Sequence, residues 1–435
     1  MKTVILTMFN GLSSAYSLVN VVAEQIEMLL QNGEEVSIIV TENCPDSDRT
    51  GIFADERINW IKLPHNLDGE PIKLQDYSDQ ELPLHDTFNQ EADFLADQFA
   101  KAIEGNDVCI VHDILYLGIY YLYNVALRRA QKKLPQVRFL AFSHSFPLKR
   151  PLVVPPERSG RFTPMDNTLY VYPSRSGLAP LAKQYNVPEG LCRVVYNTTP
   201  LISGCCEAVR KLDRDFNLLD TELLIVYPGR LSVGKRFEKV AALAGTLKQT
   251  GEKTTKVIFC DAPAVEGEAN EYKKAIRLLG RFYGLDDQDI CFTSEHGHPY
   301  GFPRQGVLEL FSLSNLFICP SFSETFSLTT LEAAQKGNFL ILNESVAALR
   351  ELGETLGAYF MRWDALGDGF RHRQQYSNGE RAYYQKHVPI ILRRMREAGV
   401  CRAKTMVRTR FNNQWVWKNQ LEPLLLEGTT KVKTE

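Results

Sequence analysis

The sequence lacks the features that would assign it at once to several classes of protein. Its 50 lysines and arginines nearly balance its 52 aspartates and glutamates, so the net charge of −2 gives no general reason to expect nucleic acid as a partner. Its nine cysteines include no Cys-x-x-Cys pair, which indicates reduced packing residues. No run approaches the roughly 20 apolar residues of a membrane span, and the first apolar run is too short for a secretory leader. We therefore expect a soluble, cytoplasmic protein.

What the sequence does have is a long alternation of strand-like and helix-like segments. With 435 residues it is too long for one typical core, and a second alternating series begins at LLIVYP, residues 223–228. Such alternation is typical of parallel sheets covered by helices. The pattern predicts an α/β protein with two doubly wound Rossmann-like domains that face each other across a cleft. The predicted domains are residues 1–205 and 206–400, and a C-terminal helix at 401–435 is expected to pack back across the first domain.

The most informative stretch is LFICPSFSETFSLTTLEAAQKGNFLILN, residues 316–343. It predicts a buried strand, a tight turn, a helix entered through Ser327, and a second strand, which is the crossover unit of a parallel sheet. Ligands of such sheets bind beyond the carboxyl ends of the strands, where the turn at 324–327 lies. Glu324 and Glu332 could hold ribose or sugar hydroxyls there, while amides at 326–329 face a phosphate. For Glu332 a helix-dipole role is the alternative.

A second motif, GRLSVGK, follows the strand-like run LLIVYP. It places Arg230 and Lys235 on a turn that leads into a helix. A guanidinium and an ammonium near a helix start suit the two charges of a diphosphate, and neither accepts a proton at neutral pH. Two basic residues on a turn are also common as solvated surface, so this motif alone is weak evidence.

Together, GRLSVGK and PSFSETFSLTTLEAAQKG resemble the donor half of the retaining glycosyltransferases of family 4, which have the GT-B fold. In the first domain, FLAFSHSF resembles the family's strand that ends in a sugar-site histidine. The resemblance implies that the first domain binds the acceptor and that the second binds a nucleoside diphosphate sugar, with UDP- or GDP-linked hexoses as the expected donors. It also implies transfer with retention, without a metal, another cofactor or a dedicated side-chain base. The acceptor, a glycan, a lipid-linked sugar or a small molecule, stays open.

The resemblance also assigns roles to individual residues. The catalytic group comprises His144, Glu324, Arg230 and Lys235. The donor site adds residues in the first loop, beside the nucleotide base and in the turn after the buried strand: Gly11, Thr293, Phe326, Ser327, Leu328 and Glu332. Asn197, in the turn that resembles the family's, is placed on the acceptor side. His112 and Asp113 follow the strand-like run VCIV and could also line the acceptor side, with a purely structural role as the alternative.

The chain departs from the family pattern in three places. Glu324-Thr-Phe-Ser327 stands where the family has Glu-Gly-Phe-Gly, Gly11 is what remains of a glycine pair, and the turn at Asn197 lacks the family's proline and glycine. Side chains at these positions hinder the close backbone approach to a phosphate that glycines allow. These substitutions permit a catalytically degenerate partner subunit as one alternative. The other is an enzyme of the same GT-B fold, a nucleotide-sugar epimerase or a phosphorylase.

Two further segments admit competing interpretations. His296-Gly-His298 suggests a metal pair, but a loop is favoured because no third ligand stands at a fixed spacing nearby. Residues 115–134 carry aromatics followed by a basic end, which fits a helix lying on a membrane surface. A core helix with a cationic C-terminus is the favoured interpretation of that segment.

Overall fold

The computed structural model describes residues 1–77, 82–145, 160–263, 269–363 and 378–427. The chain divides into two compact units, one formed by Met1–Thr199 with Asn413–Glu435 and the other by Pro200–Asn412. Each unit is built on its own parallel sheet with helices between the strands. The predicted fold class, two doubly wound Rossmann-like α/β domains, is confirmed. The predicted cleft between them stays a prediction.

The first unit contains a seven-stranded sheet in the order β3-β2-β1-β6-β7-β8-β9, in which every neighbouring pair is parallel. The strands, including a short antiparallel pair β4 and β5, are β1 Lys2–Leu6, β2 Glu35–Thr41, β3 Ile58–Leu63, β4 Asn66–Leu67, β5 Glu70–Pro71, β6 Val108–His112, β7 Arg138–Phe142, β8 Thr168–Tyr172 and β9 Cys192–Val194. The helices are α1 Ser17–Gln31, α2 Phe88–Ile103, α3 Tyr121–Gln131 and α4 Leu178–Tyr185.

Both faces of this sheet are covered, which explains why its central strands read as continuous apolar runs. In β1, Val4 and Leu6 belong to one hydrophobic cluster, whereas Ile5 belongs to the cluster on the other face. Helix α3 forms much of the 115–134 segment, and its Tyr121 and Tyr123 are buried in the first of these clusters. The favoured core interpretation of that segment therefore agrees with the structure.

The C-terminal segment of the first unit packs on the same face as Ile5. It comprises α13 Asn413–Val416, a π-helical turn at Trp417–Leu421 and α14 Glu422–Leu426. Trp417 and Leu421 belong to the cluster that contains Ile5. Among the residues that the structure describes, no helix has the length and apolar character needed to cross a membrane.

The second unit contains a six-stranded parallel sheet in the order β12-β11-β10-β13-β14-β15. Its strands are β10 Leu223–Arg230, β11 Thr255–Ala262, β12 Ile290–Phe292, β13 Leu316–Cys319, β14 Phe339–Asn343 and β15 Tyr359–Met361. Its helices are α5 Glu207–Phe216, α6 Phe237–Gly251, α7 Ala269–Tyr283, α8 Arg304–Leu313, α9 Leu328–Gln335, α10 Ala347–Leu356, α11 Asn378–Glu397 and α12 Gly399–Arg410.

Each sheet has one point at which the strand order reverses. In the first unit this switch point lies between the neighbouring strands β1 and β6, and in the second it lies between β10 and β13. Ligands of doubly wound sheets bind beyond the carboxyl ends of the strands at such points, because the two loops there diverge and leave a crevice. The loops that follow these four strands are therefore the places to look for chemistry.

Candidate functional site

The loops at the second unit's switch point bring the two donor motifs into contact. The loop after β10 carries Lys235, and the loop after β13 carries Glu324. The backbone N–H of Phe322 donates to the carbonyl oxygen of Gly234 over 2.8 Å, which joins the loops directly. Beneath them, the buried hydroxyl of Tyr227 donates to the carbonyl oxygen of Lys235 at 2.8 Å. Residues that are far apart in the sequence thus form one local surface.

Lys235 and Glu324 form an ion pair within this surface. Lys235 Nζ lies 2.5 Å from Glu324 Oε1, and the two side chains are 28% and 13% exposed. A pair that is largely withdrawn from water interacts more strongly than one in open solvent. Arg230, by contrast, is exposed, and its side chain has no hydrogen-bond partner among the described residues. Of these two predicted phosphate ligands, only Arg230 is open to an incoming anion without competition.

Glu332, the predicted ribose ligand, already has a partner. Its Oε1 accepts a hydrogen bond from Arg304 Nη2 over 2.6 Å, and Arg304 is 79% exposed. An ion pair with so exposed an arginine contributes little free energy. The second carboxylate oxygen of Glu332 has no hydrogen-bond partner in the described part of the chain. Glu332 can therefore accept a ligand hydroxyl at low cost.

The turn that enters α9 has a backbone conformation usual for glycine. Ser327 has a φ of +71°, in the left-handed region that is uncommon for other residues. Its hydroxyl lies 2.7 Å from the hydroxyl of Thr330, and Ser327 itself is buried. Phe326 and Leu328 on either side are 50% and 67% exposed. The serine thus keeps a glycine-like turn, flanked by two exposed apolar side chains.

Thr293 turns its side chain away from solvent. It is fully buried, and its Oγ1 lies 3.4 Å from Asp261 Oδ1. Asp261 also accepts hydrogen bonds from the N–H and the hydroxyl of Ser294, and Lys273 Nζ lies 3.3 Å from it. Only the backbone of Thr293 is left to contact a nucleotide base. The buried cluster around Asp261 follows the run KVIFC, and the sequence analysis missed it.

The two histidines of the His-Gly-His segment contact different partners. His296 lies edge-on to Phe216, and His298 lies edge-on to Phe302, each with ring centroids 4.8 Å apart. Within the described ranges, no group of three or more histidine, cysteine, aspartate or glutamate side chains is arranged to hold a metal ion. The loop interpretation fits these contacts.

At the first unit's switch point, His112 and His144 form a directed hydrogen-bond chain. His112 Nδ1 lies 2.9 Å from His144 Nε2, and His112 Nε2 lies 3.0 Å from Gln25 Oε1. Since a carboxamide oxygen only accepts, His112 Nε2 carries the proton and His112 Nδ1 accepts from His144. His144 Nδ1 is then left as an acceptor. Burial lowers the pKa of His144 to about 4 and that of His112 well below its usual value, so both rings are neutral at neutral pH.

Asp113, directly after β6, completes this group. It is 5% exposed, has a φ of +56°, and accepts a hydrogen bond from the backbone N–H of His144 over 2.8 Å. Burial raises the pKa of Asp113 to about 6, although the N–H groups of His144 and Ser145 oppose the shift. The pKa values of four tyrosines are raised mainly by their own burial and in smaller part by the charge of Asp113. They are Tyr16, Tyr116, Tyr120 and Tyr172. No sequence motif marks these tyrosines or Gln25.

The two remaining predicted residues of the first unit differ in their position in the sheet. Gly11 follows β1, and a Cβ atom there would lie 3.2 Å from Asp48 Oδ2, which also accepts from the N–H of Leu12 at 3.1 Å. Asn197 is exposed and follows the edge strand β9, three strands away from β6 in the sheet. The structure therefore groups His112, Asp113 and His144 but does not bring Asn197 to the switch point.

Comparisons with known proteins add a likeness of topology only. No protein-family model and no curated protein matches the sequence. Similar solved structures include a glycosyltransferase from Rickettsia africae ESF-5, with 14% identity, a TM-score of 0.33 and coverage of 98% of this chain and 99% of that one. Sucrose-phosphate synthase from Thermosynechococcus elongatus is 16% identical with a TM-score of 0.36, and the match covers 98% of this chain and 100% of that one. An α,α-trehalose-phosphate synthase (UDP-forming) from Burkholderia vietnamiensis is 14% identical with a TM-score of 0.36 and the same two coverages. TM-scores this low carry no residue-level assignment.

Proposed function

We propose that the protein is a retaining, metal-independent glycosyltransferase of the GT-B type. It would transfer a hexose-type sugar from a nucleoside diphosphate sugar, UDP- or GDP-linked, to an acceptor held by the first unit. The observation that carries the proposal is the contact between Lys235 and Glu324 at the second unit's switch point. This contact joins the two motifs whose resemblance to family 4 glycosyltransferases suggested the function.

The charges at this switch point suit the leaving group of glycosyl transfer. As the bond between sugar and phosphate breaks, negative charge grows on the diphosphate. Lys235 is held by Glu324 on the loop that follows β10, and Arg230 is the last residue of that strand. Groups aimed at developing charge lower a barrier most effectively when they are held in place beforehand, as Lys235 is. Glu332, with one unpartnered oxygen, would hold the ribose, and Glu324 would meet the sugar while it positions Lys235.

The two neutral histidines of the first unit, with Asp113 beside them, suit the sugar and the acceptor. His144 Nδ1 is an acceptor whose direction is fixed through His112 and Gln25. A neutral imidazole can accept a hydrogen bond from a sugar hydroxyl and stabilise partial positive charge as the glycosidic bond loosens. Asp113 lies beside it and would accept a hydrogen bond from an acceptor hydroxyl. Retention requires no separate base, because the departing phosphate takes the acceptor proton.

The proposal is tested by incubating the purified full-length chain with UDP-, GDP- and ADP-hexoses without added metal. Release of nucleoside diphosphate is measured, with and without sugar acceptors, and the anomeric configuration of the product is read by NMR. The proposal predicts release from one donor class and an unchanged anomeric configuration. A sugar nucleotide that stays intact but changes configuration would identify an epimerase. Binding of a nucleotide without any turnover would identify a degenerate subunit.

A further inference from the structure

Among the described residues, the second unit buries two arginines, and these differ in how many of their nitrogens have hydrogen-bond partners. Arg408 on α12 is 2% exposed, and its two terminal nitrogens donate to the backbone carbonyls of Leu218, Thr221 and Glu222, while its Nε has no partner. Arg236 is 8% exposed, and its buried Nη1 has no hydrogen-bond partner. Taking a charge out of water without a partner is costly. Both terminal nitrogens of Arg408 therefore have partners within the fold, and only its Nε has none, whereas no nitrogen of the Arg236 side chain has a hydrogen-bond partner among the described residues.

The backbone also holds Arg236 in an unusual way. Its φ of +55° lies in the left-handed region, which costs free energy for a residue with a side chain. It follows Lys235 directly and precedes the first residue of α6. Its guanidinium lies over the ring of Phe322, 5.1 Å from the ring centroid. This contact fixes the guanidinium against the loop that carries Glu324, but stacking on a ring face uses none of its N–H donors in the ring plane.

No carboxylate in the described part of the second unit takes up those donors. Glu324 is engaged by Lys235. Glu238 senses the charge of Arg236, but its Oε2 accepts a hydrogen bond from the hydroxyl of Tyr272 over 2.5 Å, and burial raises the pKa of its carboxyl group. Arg236 thus carries a charge that no carboxylate of the described part of this unit pairs with, and it directly follows Lys235, one of the two predicted phosphate ligands.

We propose that Arg236 is a third cation of the diphosphate site and binds the phosphate groups of the nucleotide. The inference rests on the proposed function and deepens it. Arg230, Lys235 and Glu324 together carry one positive charge, because Glu324 offsets Lys235. Arg236 raises the charge of the two loops to two, which matches the two negative charges of a nucleoside diphosphate sugar. A guanidinium also offers paired donors that fit phosphate oxygens.

The test compares Arg236→Met, Arg236→Lys and Arg408→Met in the full-length chain. Binding of UDP, GDP and ADP, and of the corresponding nucleosides, is measured by calorimetry, and the Tm of each unliganded variant is recorded. For the diphosphate that the wild type binds, Arg236→Met should weaken binding at least about tenfold, since charge-assisted phosphate contacts are lost. Nucleoside binding should not change, and Arg236→Lys should keep part of the affinity.

Stability separates a ligand-binding arginine from a structural one. Arg236→Met should leave the unliganded Tm unchanged or raise it, because it removes an unpaired buried charge. Arg408→Met should lower Tm, because it leaves backbone carbonyls unpaired. Unchanged diphosphate affinity in Arg236→Met, or equal losses for diphosphate and nucleoside together with a lower Tm, would overturn the inference. If the wild type binds no nucleoside diphosphate at all, it is the proposed function that fails.

Discussion

The two switch points differ in the kind of polar group that each presents. In the second unit, the loops carry full charges, with Lys235 paired to Glu324 and Arg230 exposed. In the first unit, burial keeps His112 and His144 neutral and raises the pKa of Asp113 to about 6. Charged groups select for the charge of a ligand, whereas neutral groups with fixed hydrogen-bond direction select for hydroxyl geometry. The same sheet architecture thus presents full charges in one unit and neutral, directed hydrogen-bonding groups in the other, and the proposed phosphate and sugar sites rest on that difference.

Lys235→Met is expected to have the largest effect on the charged switch point of the second unit. The change removes a cation and leaves the mostly buried Glu324 carboxylate unpaired, where it repels the diphosphate. We expect kcat/KM for donor turnover, measured by nucleotide release, to fall several hundredfold. This corresponds to a loss of about 3 to 4 kcal/mol of transition-state stabilisation.

Lys248→Met is the matched control for this variant. Lys248 is a lysine of the same unit that is paired with Asp286 and Asp289, away from the two loops. It should keep donor turnover near that of the wild type. Equal losses in both variants would show a general effect of removing a paired lysine and would contradict a phosphate role for Lys235.

His144→Ala tests the neutral histidines at the first unit's switch point. Turnover should fall about 100-fold while nucleotide affinity stays unchanged, because His144 belongs to the first unit and is assigned to the sugar. The measurement is kcat for donor turnover alongside calorimetric Kd for the diphosphate. His65→Ala, which removes another histidine of that unit that is hydrogen-bonded to a tyrosine, Tyr123, serves as the control. A parallel loss of affinity and turnover would instead assign His144 a structural role.

Glu332→Ala sharpens the comparison by testing the ribose contact. Loss of a carboxylate that holds ribose hydroxyls should weaken diphosphate binding by about 1 to 3 kcal/mol. Arg304→Ala removes only the exposed partner of Glu332 and should change binding by at most about 0.5 kcal/mol. Calorimetry on both variants decides the point, and unchanged affinity in Glu332→Ala would remove Glu332 from the donor site.

The pH dependence of stability tests whether the first unit's histidines are neutral. The folded pKa of His144 is about 4, below the ordinary 6.5, so between these values the unfolded chain binds a proton that the folded chain does not. The free energy of unfolding should therefore fall as the pH drops from 6.5 to 4. His112 acts in the same direction, and Asp113, whose pKa is raised from 3.8 to about 6, opposes them.

The contribution of His144 is isolated by comparing the wild type with a variant that lacks this histidine. Between pH 6.5 and pH 4, the free energy of unfolding of His144→Gln should fall by about 1 to 2 kcal/mol less than that of the wild type. Urea unfolding at the two pH values measures this difference. An identical pH dependence in both proteins would show that His144 does not resist protonation in the folded state.

The sheets and the main site contact follow from the sequence for simple physical reasons. Strands such as LFIC are apolar throughout because helices cover both faces of a parallel sheet. Lys235 and Glu324 follow strands that become neighbours at a switch point, so their meeting is a consequence of topology. Resemblance alone assigned His144 to the sugar site, and that role stays a prediction.

Other parts of the site depend on tertiary packing that no local pattern encodes. Gln25, which sets the proton on His112, lies on a helix far away in the sequence. Thr293 follows a strand as predicted, but its hydroxyl is taken by the buried Asp261. Arg236 is charged, and charged residues are rarely buried, so no pattern in the sequence marks it as a buried group. Such features require the packed structure.

The most direct test of the charged switch point is the thermal stability of the wild type and Lys235→Met with UDP, GDP, ADP and CMP in turn, without added metal. A ligand at 100 times its Kd adds about 2.7 kcal/mol to stability. We predict that one nucleoside diphosphate raises the Tm of the wild type and that Lys235→Met loses most of the shift. No shift with any of the four nucleotides would contradict a nucleotide-sugar site in this protein.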